Sequence, residues 1–142
     1  MDLHKREDGF QYGLAFSTLE AVKQTELIPL IASDVDCALN MNKKSFEANF
    51  LFIYPPSFEE LRRRLGVARK ETEQEFKVRI REAIKEIEKA NNSVLFTNRL
   101  VNDKLDDAVD QFFTLIDALY FQEISNARAA KMLAAQAAAP KE

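Results

Sequence analysis

Apolar residues along this chain follow two periods, and the change from one to the other marks its elements. Asn49 to Tyr54 (NFLFIY) is apolar and aromatic after its first residue. That composition suits a strand packed on a pleated surface. Pro55-Pro56 ends it, because a proline ring donates nothing to a ladder and holds the residue before it extended. The period then becomes helical. Ser57 and Glu60 have capping-box spacing, and Phe58, Leu61 and Leu65 fall on one face. Gly66 is the expected stop of that helix. Beyond Val67 to Lys70, Thr72 and Glu75 repeat the capping spacing, and Phe76, Ile80, Ile84 and Ile87 recur at intervals of four and three. Glu75 precedes Arg79 by four, the favourable order for a helical ion pair. Asn91-Asn92-Ser93 breaks the pattern. Phe50 to Ile80 thus reads as strand, turn, helix, loop, helix.

The flanking segments are shorter. Met1 to Asp8 is charged and expected to fray. Gly9 to Phe16 (GFQYGLAF) suggests a strand or tight loop, and Ser17 with Glu20 suggests a capped helix over Thr18 to Gln24. Leu27 to Ala32 (LIPLIA) has the look of a strand buried on both faces, with Pro29 as its awkward member. It runs into Asp34 and Asp36, two carboxylates at the strand end where open parallel sheets bind ligands. Capping the following turn is the alternative role for that pair. Cys37 to Lys44 suits a helical turn or two. Val94 to Val101 (VLFTNRLV) is a further strand candidate in which Arg99 stands out. Asn102-Asp103 is expected to cap a long last helix with Leu105, Val109, Phe112, Ile116, Leu119 and Tyr120 as its apolar stripe. The Ala-rich end favours helix and buries little. The expected organisation is a polar leader over 1–8, one domain over 9–122 and a helical tail over 123–142.

Composition narrows the function. A chain of 142 residues makes one domain comfortably, and 46% apolar residues with eleven Phe can build a core. The formal charge of −3, with mixed signs, is not the basic stripe of a nucleic-acid binder. Cys37 is the single cysteine, so neither a disulfide framework nor a cysteine metal cluster forms within the chain. A cytoplasmic location fits that count and the absence of a signal-like or membrane-spanning run. His4, the single histidine, lies in the polar leader.

Several blocks resemble the later two thirds of guanylate kinases, in order. Gln11-Tyr12-Gly13 resembles the family's Tyr-Tyr-Gly turn, and Asp34-Val35-Asp36 its Asp-Ile-Asp strand end. Phe52 to Ser57 resembles Phe-Ile-x-Pro-Pro-Ser. Leu61 to Leu65, Glu71-Thr72-Glu73 and Arg79 resemble the lid. Phe96 with Val101-Asn102-Asp103 and Leu105-Asp106 resembles the strand and loop that follow it. The resemblance implies an α/β fold of partial P-loop-kinase, guanylate-kinase-like type: three layers, a parallel sheet, a helical lid and a long C-terminal helix. It implies that Tyr12, Asp34 and Asp36 lie on the GMP side. Arg79, with Arg69, supplies lid arginines for the transferring phosphoryl group, and Asn102 borders the adenine. No residue is implied as a metal ligand.

The sequence also departs from the family. The 142 residues contain no Gly-x-x-x-x-Gly-Lys-Ser/Thr, the loop whose N–H groups and lysine seat ATP phosphates. The residues before Phe10 are not expected to supply the family's GMP-phosphate arginines. Leu14 stands where a hydroxyl would read guanine. Ala68 takes the place of a lid arginine, which Arg69 could fill by a one-residue shift. Arg62 to Arg64 are expected on a solvated face. The expected function is therefore a guanylate-kinase-like domain without independent kinase activity, acting as a protein-interaction or structural module. It would bind a protein partner or larger assembly, with a GMP-like ligand or phosphopeptide as a possible small partner. The alternative is a guanylate kinase present as an incomplete chain; only then are ATP, GMP and Mg2+ implied.

Overall fold

The computed structural model describes residues 2–5, 11–25, 27–68 and 72–137. Two compact units, Met1–Glu47 and Ala48–Glu142, divide the chain. The first opens with β1 (Asp2–Lys5) and β2 (Gln11–Leu14), an antiparallel pair with Asp2 opposite Leu14 and His4 opposite Tyr12. Residues 2–5 are thus a strand and not a frayed leader, because ladder hydrogen bonds depend on the backbone and not on side-chain polarity. Helix α1 (Phe16–Lys23) begins at Phe16, so Ser17 falls inside the first turn and cannot cap it. Ala15 is the N-cap and provides no side-chain bond. Glu20, freed from a capping role, approaches Lys23 at 3.7 Å.

Leu27 to Ala32 forms no strand. Leu27 and Leu30 are 65% and 74% exposed, and Pro29 removes the donor that a buried strand needs. Helix α2 (Val35–Lys43) follows and buries Val35, Ala38 and Met41 along one stripe. Its end is a Schellman turn: the Phe46 N–H donates to the Met41 carbonyl at 3.2 Å and Ser45 to Asn42 at 2.9 Å. Ser45 has φ 55°, a left-handed position usually given to glycine.

In the second unit, β3 (Leu51–Tyr54) and β4 (Asn98–Val101) pair in parallel, Leu51 opposite Asn98 and Tyr54 opposite Val101. Parallel neighbours require a crossover. It is made by α3 (Phe58–Ala68) and α4 (Glu73–Asn91). Helices α5 (Leu105–Leu119) and α6 (Phe121–Ala137) complete, among the described residues, a mixed α/β architecture of six helices with a small parallel sheet. Ala90, Phe96, Leu100 and Ala108 are buried. Phe50, Phe52, Tyr54 and Phe96 meet edge to face, with centroids 4.5 to 6.5 Å apart.

Several local expectations are refined here. Val94, placed in a strand by its apolarity, is 95% exposed in a turn, where the Ser93 hydroxyl accepts from the Leu95 N–H. Arg99 is accommodated on β4 because its guanidinium lies over the Tyr54 ring at 5.7 Å. Gly66 does not end α3; the helix continues to Ala68 with the Phe76 ring of α4 beside it. The last helix breaks at Tyr120, and its N-cap is Lys104 without a side-chain bond. The capping box of Thr72 and Glu75 does form: Thr72 Oγ1 accepts from the Glu75 N–H at 3.3 Å and Glu75 Oε2 from the Thr72 N–H at 2.8 Å.

Two glycine exchanges test this placement. A Cβ at Gly66 would meet Phe76 Cε2 at 3.8 Å, ordinary contact, so Gly66→Ala should stabilise by ~1 kcal/mol through helix propensity. Ser45→Gly should stabilise by about 1 kcal/mol by relieving left-handed strain. Urea denaturation of each variant checks both values. Destabilisation by Gly66→Ala would mean that α3 ends at Gly66 after all.

Candidate functional site

In the first unit, Asp34 stands before α2 with an extended backbone, and its Oδ1 accepts the Cys37 N–H at 2.8 Å. The carboxylate therefore caps the helix. Asp36 lies in the first turn, half-buried, where negative charge complements the helix dipole. Tyr12 lies in the middle of β2. These are the three residues expected on the GMP side.

In the second unit, the C-terminal ends of β3 and β4 define one edge of the parallel sheet, where such sheets place ligands. The Asn102 N–H donates to the Tyr54 carbonyl at 2.8 Å, carrying the pairing one residue past β4. The Tyr54 hydroxyl donates to Asn91 Oδ1 at 2.9 Å, fixing the far end of α4 to the same strand. Asn102 is half-buried there, and Arg79 is half-buried on α4. Arg69 lies outside the described residues. Among the described residues, no group of three or more His, Cys, Asp or Glu is arranged to hold a metal ion.

Helix α3 leaves this edge. Ser57 Oγ accepts the Glu60 N–H at 3.1 Å, as its spacing led one to expect. The Glu60 carboxylate turns to two arginines: Arg63 donates through Nε at 2.7 Å and Nη2 at 2.6 Å, and Arg64 through Nε at 2.6 Å. Arg64 also donates from Nη1 to the Asn102 carbonyl at 2.6 Å and from Nη2 to the Asp103 carbonyl at 2.7 Å. Arg64 is thus not part of a solvated face. Arg63 remains largely exposed, and Arg62 lies over the Phe76 ring at 5.9 Å. A signal for Arg64 was present in the sequence. It follows Leu61 by three and Glu60 by four, at the border of the apolar stripe and in the favourable ion-pair order.

The arginines hold the Glu60 carboxyl down to about 2, through hydrogen bonds from Arg63 first and Arg64 second. Glu75 is lowered as well, mainly by Thr72, with the charge of Arg79 adding to the effect. A carboxyl depressed by folding contributes stability that is full above its ordinary range, near 4.5 for Glu60. That contribution is lost as pH falls toward the folded value. Melting temperature should therefore fall between pH 4.5 and about 2, and Glu60→Gln should shrink the fall. An unchanged pH profile in that variant would show that the Glu60 contacts do not hold α3 in solution.

Comparison with known proteins gives these elements a lineage. The family model described as guanylate kinase matches residues 4–119. Guanylate kinase 1 of Oryza sativa subsp. japonica is 35% identical over 118 residues, covering 83% of this chain and 31% of the relative. Guanylate kinase of Clostridium tetani is 30% identical over 125 residues, covering 82% and 59%. Guanylate kinase of Sus scrofa is 29% identical over 126 residues, covering 89% and 62%. The chain thus spans from under a third to about six tenths of these relatives' own length. By the extent of the family match, which includes β2, the parallel β3–β4 pair and the α3–α4 crossover, this chain belongs to the guanylate kinase family.

Proposed function

We propose that the chain is a guanylate-kinase-like domain without phosphoryl-transfer activity of its own, acting as a protein-interaction or structural module. One observation carries the proposal: a chain of this family whose 142 residues contain no Gly-x-x-x-x-Gly-Lys-Ser/Thr. Phosphoryl transfer relies on positioning and charge stabilisation, and both begin with a seat for the donor's phosphates. Arg79 and Arg69 act as lid arginines in this proposal and cannot replace that seat. Tyr12, Asp34 and Asp36 face GMP or a similarly anionic group, and Asn102 borders the adenine position.

A second reading is favoured by the names and lengths of the relatives. In it, the chain is an incomplete part of an ATP:GMP phosphotransferase, and ATP, GMP and Mg2+ are its ligands once the remainder is supplied. Upstream coding sequence with a phosphate-binding loop would select this reading.

The two readings share a test. Incubated with ATP, GMP and Mg2+, the isolated chain should form no GDP in a coupled assay. ATP-dependent GDP formation that Arg79→Ala abolishes would overturn the first proposal. Binding is separable from transfer. Calorimetry should show GMP binding that Asp36→Asn weakens about tenfold, the scale of one hydrogen bond to a charged group, and that Tyr12→Phe also weakens. A parent chain that takes up no GMP would reduce Asp34 and Asp36 to helix-capping residues.

A further inference from the structure

The fork of Arg64 joins two pieces of chain that are distant in sequence. On one side is α3, whose first turn is held by the Ser57 cap. On the other is the loop from Asn102 to Lys104, which sets the start of α5. No side chain caps α5 at Lys104, so the loop and the burial of Ala108 are what hold its first turn. The loop is gripped from two directions, by the Tyr54 carbonyl on the Asn102 N–H and by Arg64 on the next two carbonyls. Arg64 itself is only 35% exposed, and its Nε is aimed by Glu60 one helical turn earlier. A guanidinium presents its donors in a rigid planar fork, so fixing Nε also fixes the direction of both Nη groups.

We propose that Glu60 and Arg64 form a latch that couples α3 to the loop 102–104 and the first turn of α5. This rests on the reading of α3 and α4 as a lid and of Asn102 as bordering the adenine. When α3 moves as part of the lid, the fork leaves the two carbonyls and the loop relaxes. When α3 is seated, Asn102 is held in one orientation. Arg64 is then a positioning residue. It acts on the nucleotide edge through the backbone on either side of the 102–103 peptide, and Glu60 acts through Arg64.

Amide hydrogen exchange of the full chain tests the latch without nucleotide, so a chain that never binds GMP leaves its result intact. Arg64→Ala should speed exchange of the amides from Asp103 to Ala108 about tenfold, the scale of a charge-assisted hydrogen bond. Ile53 and Leu100 in the sheet should be unchanged. Glu60→Ala should produce a smaller increase at the same amides and add nothing in the Arg64→Ala background. A purely local role for the Glu60–Arg64 pair in α3 would leave the 103–108 amides unmoved. Should Arg64→Ala fail to fold, Arg64→Lys carries the test. It keeps the charge but loses the fork, and should give an intermediate increase at 103–108. The latch is overturned if these amides stay within about twofold of the parent, or if the Glu60 and Arg64 effects simply add.

Discussion

The second unit depends on the parallel pairing of β3 with β4. Two strands that run in the same direction cannot be joined by a tight turn, so the chain between Tyr54 and Asn98 must leave the sheet and return. Everything in α3 and α4 is that excursion. Its exit is set by Pro55-Pro56 and the Ser57 cap, its bend by the Thr72–Glu75 box, and its return by the Tyr54 hydroxyl on Asn91. Tyr54 therefore serves four neighbours at once: its backbone carbonyl holds Asn102, its hydroxyl holds Asn91, and its ring lies under Arg99 and against Phe52.

Much of this was legible in the sequence wherever one local rule decided the outcome. The strand before the two prolines, the capping box at Thr72 and the helical period of Phe76, Ile80, Ile84 and Ile87 all formed where the pattern placed them. Failure came where a second influence competed. LIPLIA has a strand's composition, but Pro29 prevents one. Gly66 resembles a helix stop, yet α3 continues with Phe76 alongside. Ser17 has a cap's chemistry, but the helix had already begun. In each case composition was read correctly and a neighbouring residue or element decided otherwise.

The candidate site was legible only in part, for a different reason. Asp34 was open between cap and ligand group, and the bond from the Cys37 N–H establishes the cap without deciding its role toward an anion. Arg64 was expected on a solvated face because the two carbonyls it reaches lie 38 and 39 residues away. Backbone acceptors carry no residue signature, so no sequence pattern announces them. The family match supplies what local reading lacks: it places residues 4–119, with the α3–α4 crossover among them, in the guanylate kinase family.

The proposed function separates two halves of nucleotide chemistry, an acceptor side that the proposal assigns to Tyr12, Asp34 and Asp36 and a donor-phosphate loop motif that these 142 residues do not contain. A 15N-labelled sample titrated first with GMP and then with ATP and Mg2+ measures that separation directly. The account predicts saturable shifts with GMP at the amides around Tyr12, Asp34 and Asp36, and none that saturate with ATP and Mg2+. Saturable shifts with ATP and Mg2+, or none with GMP, would contradict it.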